Sequence, residues 1–143
     1  MDWVQELKVA VGTVFSIKKT VLQSNIVAAG IDLTGVSSGA LELIAVYIQN
    51  GATAFDSAAH GATAELYTNN ASGSLSFMTA AQALLIANCI VSEKNATIWR
   101  GVVLENGKKV SIKATGENFT SAGNADIYLV FRRLVAGATI AAA

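Results

Sequence analysis

Proline is absent from the 143-residue chain, which removes the commonest turn-former and leaves Gly, Asn, Asp and Ser to punctuate it. The glycines are therefore expected to mark loops. Cysteine is nearly absent: Cys89 stands alone, so no intrachain disulfide can form and no multi-cysteine metal site can close. Charge is scarce too, at 14% of residues against about a quarter in an average domain. Ten basic residues offset ten acidic ones, leaving no net field to draw the molecule onto nucleic acid or an anionic membrane. Neither is expected as a partner. No run reaches the ~18 uninterrupted apolar residues of a membrane span. The opening MDWVQELKVAVGTVFSIKK lacks the basic region that precedes the apolar run of a secretory signal. The expectation is a soluble protein made in the cytoplasm.

What is present is apolar. Hydrophobic residues make up 52% of the chain, more than one domain of this length with so few charges normally hides, and that favours an assembly. One domain is expected, with residues 1–17 as an N-terminal arm or first strand, 18–135 as the body and 136–143 as an apolar tail that packs.

Period-two alternation is the main structural signal. In KKVSIKAT, Val110, Ile112 and Ala114 alternate with Lys109, Ser111, Lys113 and Thr115, predicting a strand with one wet face. Asn106-Gly107 just before it is the pair that most readily forms a tight hairpin turn, so residues 97–104 are expected to pair with this strand. KTVLQSNIVAAGIDLTGV reads as short strands broken at Gly30 and Gly35, and ATAELYTNN as a further strand. Residues 79–91, TAAQALLIANCIV, are rich in Ala and Leu behind Thr79 and predict the one helix, although Cys89, Ile90 and Val91 equally suit a strand. Many short strands and at most one short helix give an all-β fold, a β-sandwich or jelly-roll-like domain.

Two strands carry more than fold. ALELIAVYIQNG is apolar on both parities, Leu41, Leu43, Ala45 and Tyr47 on one and Ile44, Val46 and Ile48 on the other, which predicts cover on two faces. With few helices to supply it, a neighbouring subunit is expected there. In GNADIYLVFRRL, Ile127, Leu129 and Phe131 face inward, while Asp126, Tyr128, Val130 and Arg132 face outward. Arg133 shares the inward parity but stands at the strand end, where its guanidinium can leave the core while its stem stays packed. Adjacent arginines on opposite faces imply separate jobs, one bracing its own subunit and the other meeting a partner's carboxylate. Trp3 joins the expected interface set on the N-terminal arm.

The chemical readings are thin. His60 has Asp56 and Ser57 nearby in sequence, but a triad assembles from separate elements and Ser57 lies in no nucleophile elbow. No H-x-x-x-H, H-E-x-x-H or acidic calcium loop occurs, and GATAE and GSLSF lack phosphate-loop spacing. Neither enzyme activity nor a cofactor or metal is expected.

The run VLENGKKVSIKATGENFTSAGNADIYLVFRRLVAGATI, with IVAAGIDLTGVSSGALELIAVYIQN upstream, resembles the head decoration or cement proteins of tailed bacteriophages. It shares their Gly/Ala/Thr-rich strands, late basic hairpin and final strand ending in Phe-Arg-Arg. The resemblance implies a β-sandwich or jelly-roll-like subunit, commonly a homotrimer, on the outer surface of the virion capsid, where it clamps neighbouring copies of the major capsid protein. A phage tail or fibre module binding a host glycan or another virion protein is the alternative.

Overall fold

The computed structural model describes residues 10–70, 76–81, 87–88, 90–92 and 102–143. Among them the chain forms β1 (Val14–Leu22), β2 (Ile31–Asp32), β3 (Leu41–Asn50), β4 (Thr63–Thr68), β5 (Ser76–Ala81), β6 (Ile90–Ser92), β7 (Val102–Leu104), β8 (Val110–Thr115) and β9 (Asn124–Arg133), with one 3-10 turn at Gln23–Asn25. They build two antiparallel sheets. One runs β1-β9-β3, with β6 and β7 sharing the far edge of β3; the other runs β2-β8-β4-β5.

The pairings are nested. β1 lies against β9, β2 against β8, β3 against β7 and β6, and β4 against β5. The midpoints of pairs such as Val14 with Arg132, Leu41 with Leu104 and Thr63 with Ala81 all fall at about residue 72. The chain is thus one long hairpin rolled up until β9 meets β3 and β8 meets β4. That is the jelly-roll form of a β-sandwich.

The core fills the space between the sheets. Phe131, Leu129 and Ile127 of β9 and Leu41, Leu43, Val46 and Ile48 of β3 meet Val110, Ile112 and Ala114 of β8 and Ala64 and Leu66 of β4, all buried. Each large aliphatic or aromatic side chain so placed contributes about 1.5–3 kcal/mol. The alternation of β9 is the expected one, and so is that of β8 except at Ser111, expected on the wet face but buried with its hydroxyl bonded to Asp32.

β3 differs from expectation for a definite reason. Its register against β9 slips between Leu43 and Ala45, so that Ile44 is the extra residue of a β-bulge. A bulge exchanges the parities. Upstream Leu41 and Leu43 face the core; downstream Val46 and Ile48 do, at 0% and 1% exposure, while Tyr47 turns outward. The strand is apolar on both parities because each serves the same core in turn, so its pattern does not call for a second cover.

The 105–108 segment is a turn, with Gly107 at φ +75° and the Lys108 amide donating to the Glu105 carbonyl. It does not close the expected hairpin, because β7 pairs with β3 and β8 with β2 and β4. Ser37 holds this crossover. Its hydroxyl donates to the Glu105 carbonyl at 2.8 Å, its carbonyl accepts the Gly107 amide, and its amide donates to the Lys108 carbonyl.

Of the two readings of 79–91, helix or strand, the strand is the one found at both ends. Thr79–Ala81 end β5, and Ile90 and Val91 lie in β6; residues 82–86, Cys89 and the 97–101 part of the expected hairpin lie outside the described residues. The tail does pack, on its own subunit: Ala138 and Ile140 are buried, and backbone bridges join Thr139 to Ser38 and Ala142 to Thr34.

Candidate assembly face

The outer faces of the two sheets differ in chemistry. On the β2-β8-β4 face the polar groups satisfy one another. Lys109 Nζ lies 2.8 Å from an Asp32 oxygen and Ser111 Oγ donates to the other at 3.0 Å. Lys113 is 3.8 Å from Glu65 and 5.1 Å from the ring centroid of Tyr67. The Lys109 ammonium, opposed by partial burial and aided by Ser111, holds the Asp32 carboxyl below the usual carboxylate range.

The face of the five-stranded sheet has an apolar middle. Register places Ala45 beside Val130 and Val130 beside Ser16; the next row runs Tyr47, Tyr128, Lys18. Tyr47 is 41% exposed and Ile90 62%. Ser16, Tyr47, Gln49, Ile90, Tyr128 and Val130 line a shallow hollow of about 300 Å³. Charged and polar pairs bound it on both sides: Arg132 Nη1 lies 3.1 Å from Glu42 Oε1 at one end, and Thr20 Oγ1 donates to Asp126 at the other. An apolar centre within a polar rim is the anatomy of a protein-binding surface.

The expected interface residues therefore separate. Tyr128 and Arg132 are on this face. Val46 and Ile48 are in the subunit's own core, and Ile44 is half-buried at the bulge. Trp3 lies outside the described residues. Arg133 turns inward at the strand end: its guanidinium stacks 4.4 Å from the Phe15 ring centroid, Nε donates to the Ala138 carbonyl at 2.8 Å, and Nη1 donates to Thr13 Oγ1 at 3.0 Å. It fastens β9 to the start of β1 and to the tail. Sequence reasoning missed Tyr47, Gln49 and Ile90, and no periodicity could have recovered Tyr47 without the bulge.

Around His60 the geometry is that of a braced loop. His60 Nδ1 is 2.6 Å from Asp56 Oδ1. The Ser57 hydroxyl gives its proton to Glu117 at 2.6 Å, and the amides of Gly61 and Ala59 point at the same carboxylate. These donors, the hydroxyl first, hold the Glu117 carboxyl below its usual range. A carboxylate so stabilised is a weak base, and the hydroxyl proton is directed at it rather than at His60.

No family model matches the sequence, and no curated protein does. Two solved structures share its fold over nearly the whole of both chains. One is a chain of the acidic stable capsid structure of Helicobacter pylori bacteriophage KHP30, at TM-score 0.58 and 8% identity, covering 90% of this chain and 95% of that one. The other is a chain of the capsid of Ralstonia phage GP4, at TM-score 0.56 and 16% identity, covering 87% and 86%. The single jelly roll described above is thus an architecture also found in phage capsids.

Proposed function

We infer that this chain is a structural protein of a bacteriophage virion, a decoration protein that lies on the outside of the capsid and bridges neighbouring copies of the major capsid protein. The observation that carries the reading is the exposed apolar centre on the five-stranded sheet, bounded by Arg132–Glu42 and Thr20–Asp126, on a fold shared over most of their length with chains of two phage capsids. Such a protein needs no reaction centre. It binds a repeating shell through many modest contacts whose effects multiply when copies are joined, and a homotrimer is the grouping this reading favours.

The test is to purify virions that encode the chain and image them at a resolution that traces strands. Density for this jelly roll on the outer capsid, with Tyr47 and Tyr128 at a subunit contact, is the expected result. Its absence from the particle, or its confinement to the tail, overturns the reading.

A further inference from the structure

β1 is the longest edge strand in the molecule as described. It pairs with β9 without a break over all nine residues, Val14 with Arg132 through Leu22 with Asn124, and nothing among the described residues pairs with its other side. The other edges are short by comparison: two residues in β2, three each in β6 and β7, six in β5.

The direction of the free groups follows from the ladder. The Arg133 amide donates to the Thr13 carbonyl, and ten residues along the Gln23 amide donates to the Gly123 carbonyl. Antiparallel bonding alternates, so the odd-numbered residues of β1 bond to β9. The amides and carbonyls of Val14, Ser16, Lys18, Thr20 and Leu22 therefore face away from the sheet. Chains usually protect such an edge with proline, a bulge or charge. Here there is no proline and no bulge, and the protection is Lys18 and Lys19.

Beside this edge lies an open hollow of about 450 Å³ between β1 and β2, lined in part by Lys19, Val27, Ile31 and Asp32. Asp32 is paired with Lys109 and the Lys19 ammonium donates to the Ala143 carbonyl, so the charges beside the hollow are already engaged. Lys18 presents its ammonium on the outer face, where it is exposed.

The geometry points to β1 as an acceptor edge for an extended, acidic segment of a partner protein, which adds a strand to the five-stranded sheet. Main-chain bonds to the even-numbered residues hold the segment. Its apolar side chains enter the hollow against Val27 and Ile31, and its carboxylates, on the opposite face of the added strand, lie across from Lys18, since opposite charges facing across a ladder stabilise it. A second copy of the same strand fits less well. The two-fold register that pairs the whole of β1 with itself is centred on Lys18 and sets two ammonium groups opposite each other.

The inference stands on the edge itself and not on the virion reading, and its test uses no virion. Amide exchange is followed in the whole protein with and without two synthetic nonapeptides, Val and Thr alternating with Glu in one and with Gln in the other. The amides of Ser16, Lys18, Thr20 and Leu22 are expected to exchange fast alone and slowly with the Glu peptide. Ser16→Pro removes an outward amide without touching the β9 ladder, and is expected to melt with the parent yet bind neither peptide. Lys18→Glu is expected to weaken the Glu peptide by roughly two- to fivefold and leave the Gln peptide unchanged. Outward amides already slow in the isolated monomer, equal binding of the two peptides, no binding of either, or a parent dimer that Ser16→Pro splits would each overturn the assignment; the last would give the edge to a second copy. Should Ser16→Pro unfold, the exchange pattern and Lys18→Glu still decide.

Discussion

Arg133 lies over the face of Phe15, 4.4 Å from guanidinium carbon to ring centroid, although the two residues belong to opposite ends of the described chain. Its neighbour Arg132 pairs with Glu42 on the other side of the sheet, where both side chains are partly exposed. The two alanine variants should therefore differ. Arg133→Ala loses the ring contact and two hydrogen bonds and should cost about 1–3 kcal/mol. Arg132→Ala should cost about 0–1 kcal/mol and act mainly on assembly. Urea melts of the isolated variants measure this, and equal destabilisation would refute the division of labour.

The bulge at Ile44 makes adjacent residues of β3 behave unlike each other. Ile48→Ala empties a packed core position and should destabilise by about 2–5 kcal/mol. Tyr47→Glu places a charge on the outer face, and should leave melting within about 1 kcal/mol of the parent while weakening particle binding. Particle co-sedimentation alongside a thermal melt separates the two effects.

Acid should weaken the fold through Glu117 and Asp32. Both carboxyls bind a proton less readily folded than unfolded, Glu117 through the Ser57 hydroxyl and neighbouring amides and Asp32 through Lys109. The unfolded chain then takes up protons first as pH falls. Stability from these groups is complete above the ordinary carboxylate values of about 4 and is lost as pH drops through the lower folded ones. Urea midpoints between about pH 6 and pH 2 should fall less steeply in Glu117→Gln and Asp32→Asn than in the parent. A parallel slope in the variants would show that these contacts do not carry the dependence.

His60 has a positive φ of 59° and an exposed side chain, a conformation that glycine adopts without strain. His60→Gly should keep its melting temperature and its particle binding, the Asp56 contact being a surface pair of about 0–1 kcal/mol. Loss of binding with the fold intact would assign His60 a role on the surface.

Sequence and structure agree where alternation is unambiguous. Val110, Ile112 and Ala114, and Ile127, Leu129 and Phe131, are apolar beside polar or mixed neighbours, and only one face of each strand could be the inner one. β3 offered no such contrast, so nothing local revealed that Ile44 is the extra residue. Asn106-Gly107 correctly marked a turn, because positive φ is a local demand. Which sheet each flanking strand joins is set by distant partners: β7 by Leu41–Leu43, about 60 residues away, and β8 by β2 and β4. Tyr128 and Arg132 were legible as outward residues; Tyr47 and Ile90 became part of the face only through tertiary register.

The nested pairing has a consequence for synthesis. β1 is made well before its partner β9: Thr20 and Asp126 are separated by 106 residues. At about 5–20 residues per second, β1 waits roughly five to twenty seconds with both of its edges bare. The innermost pair, β4 with β5, can close long before that. Lys18 and Lys19 then have a task well before any particle exists, since two like charges on the waiting strand discourage it from zipping onto the same strand of the next nascent chain on the same message.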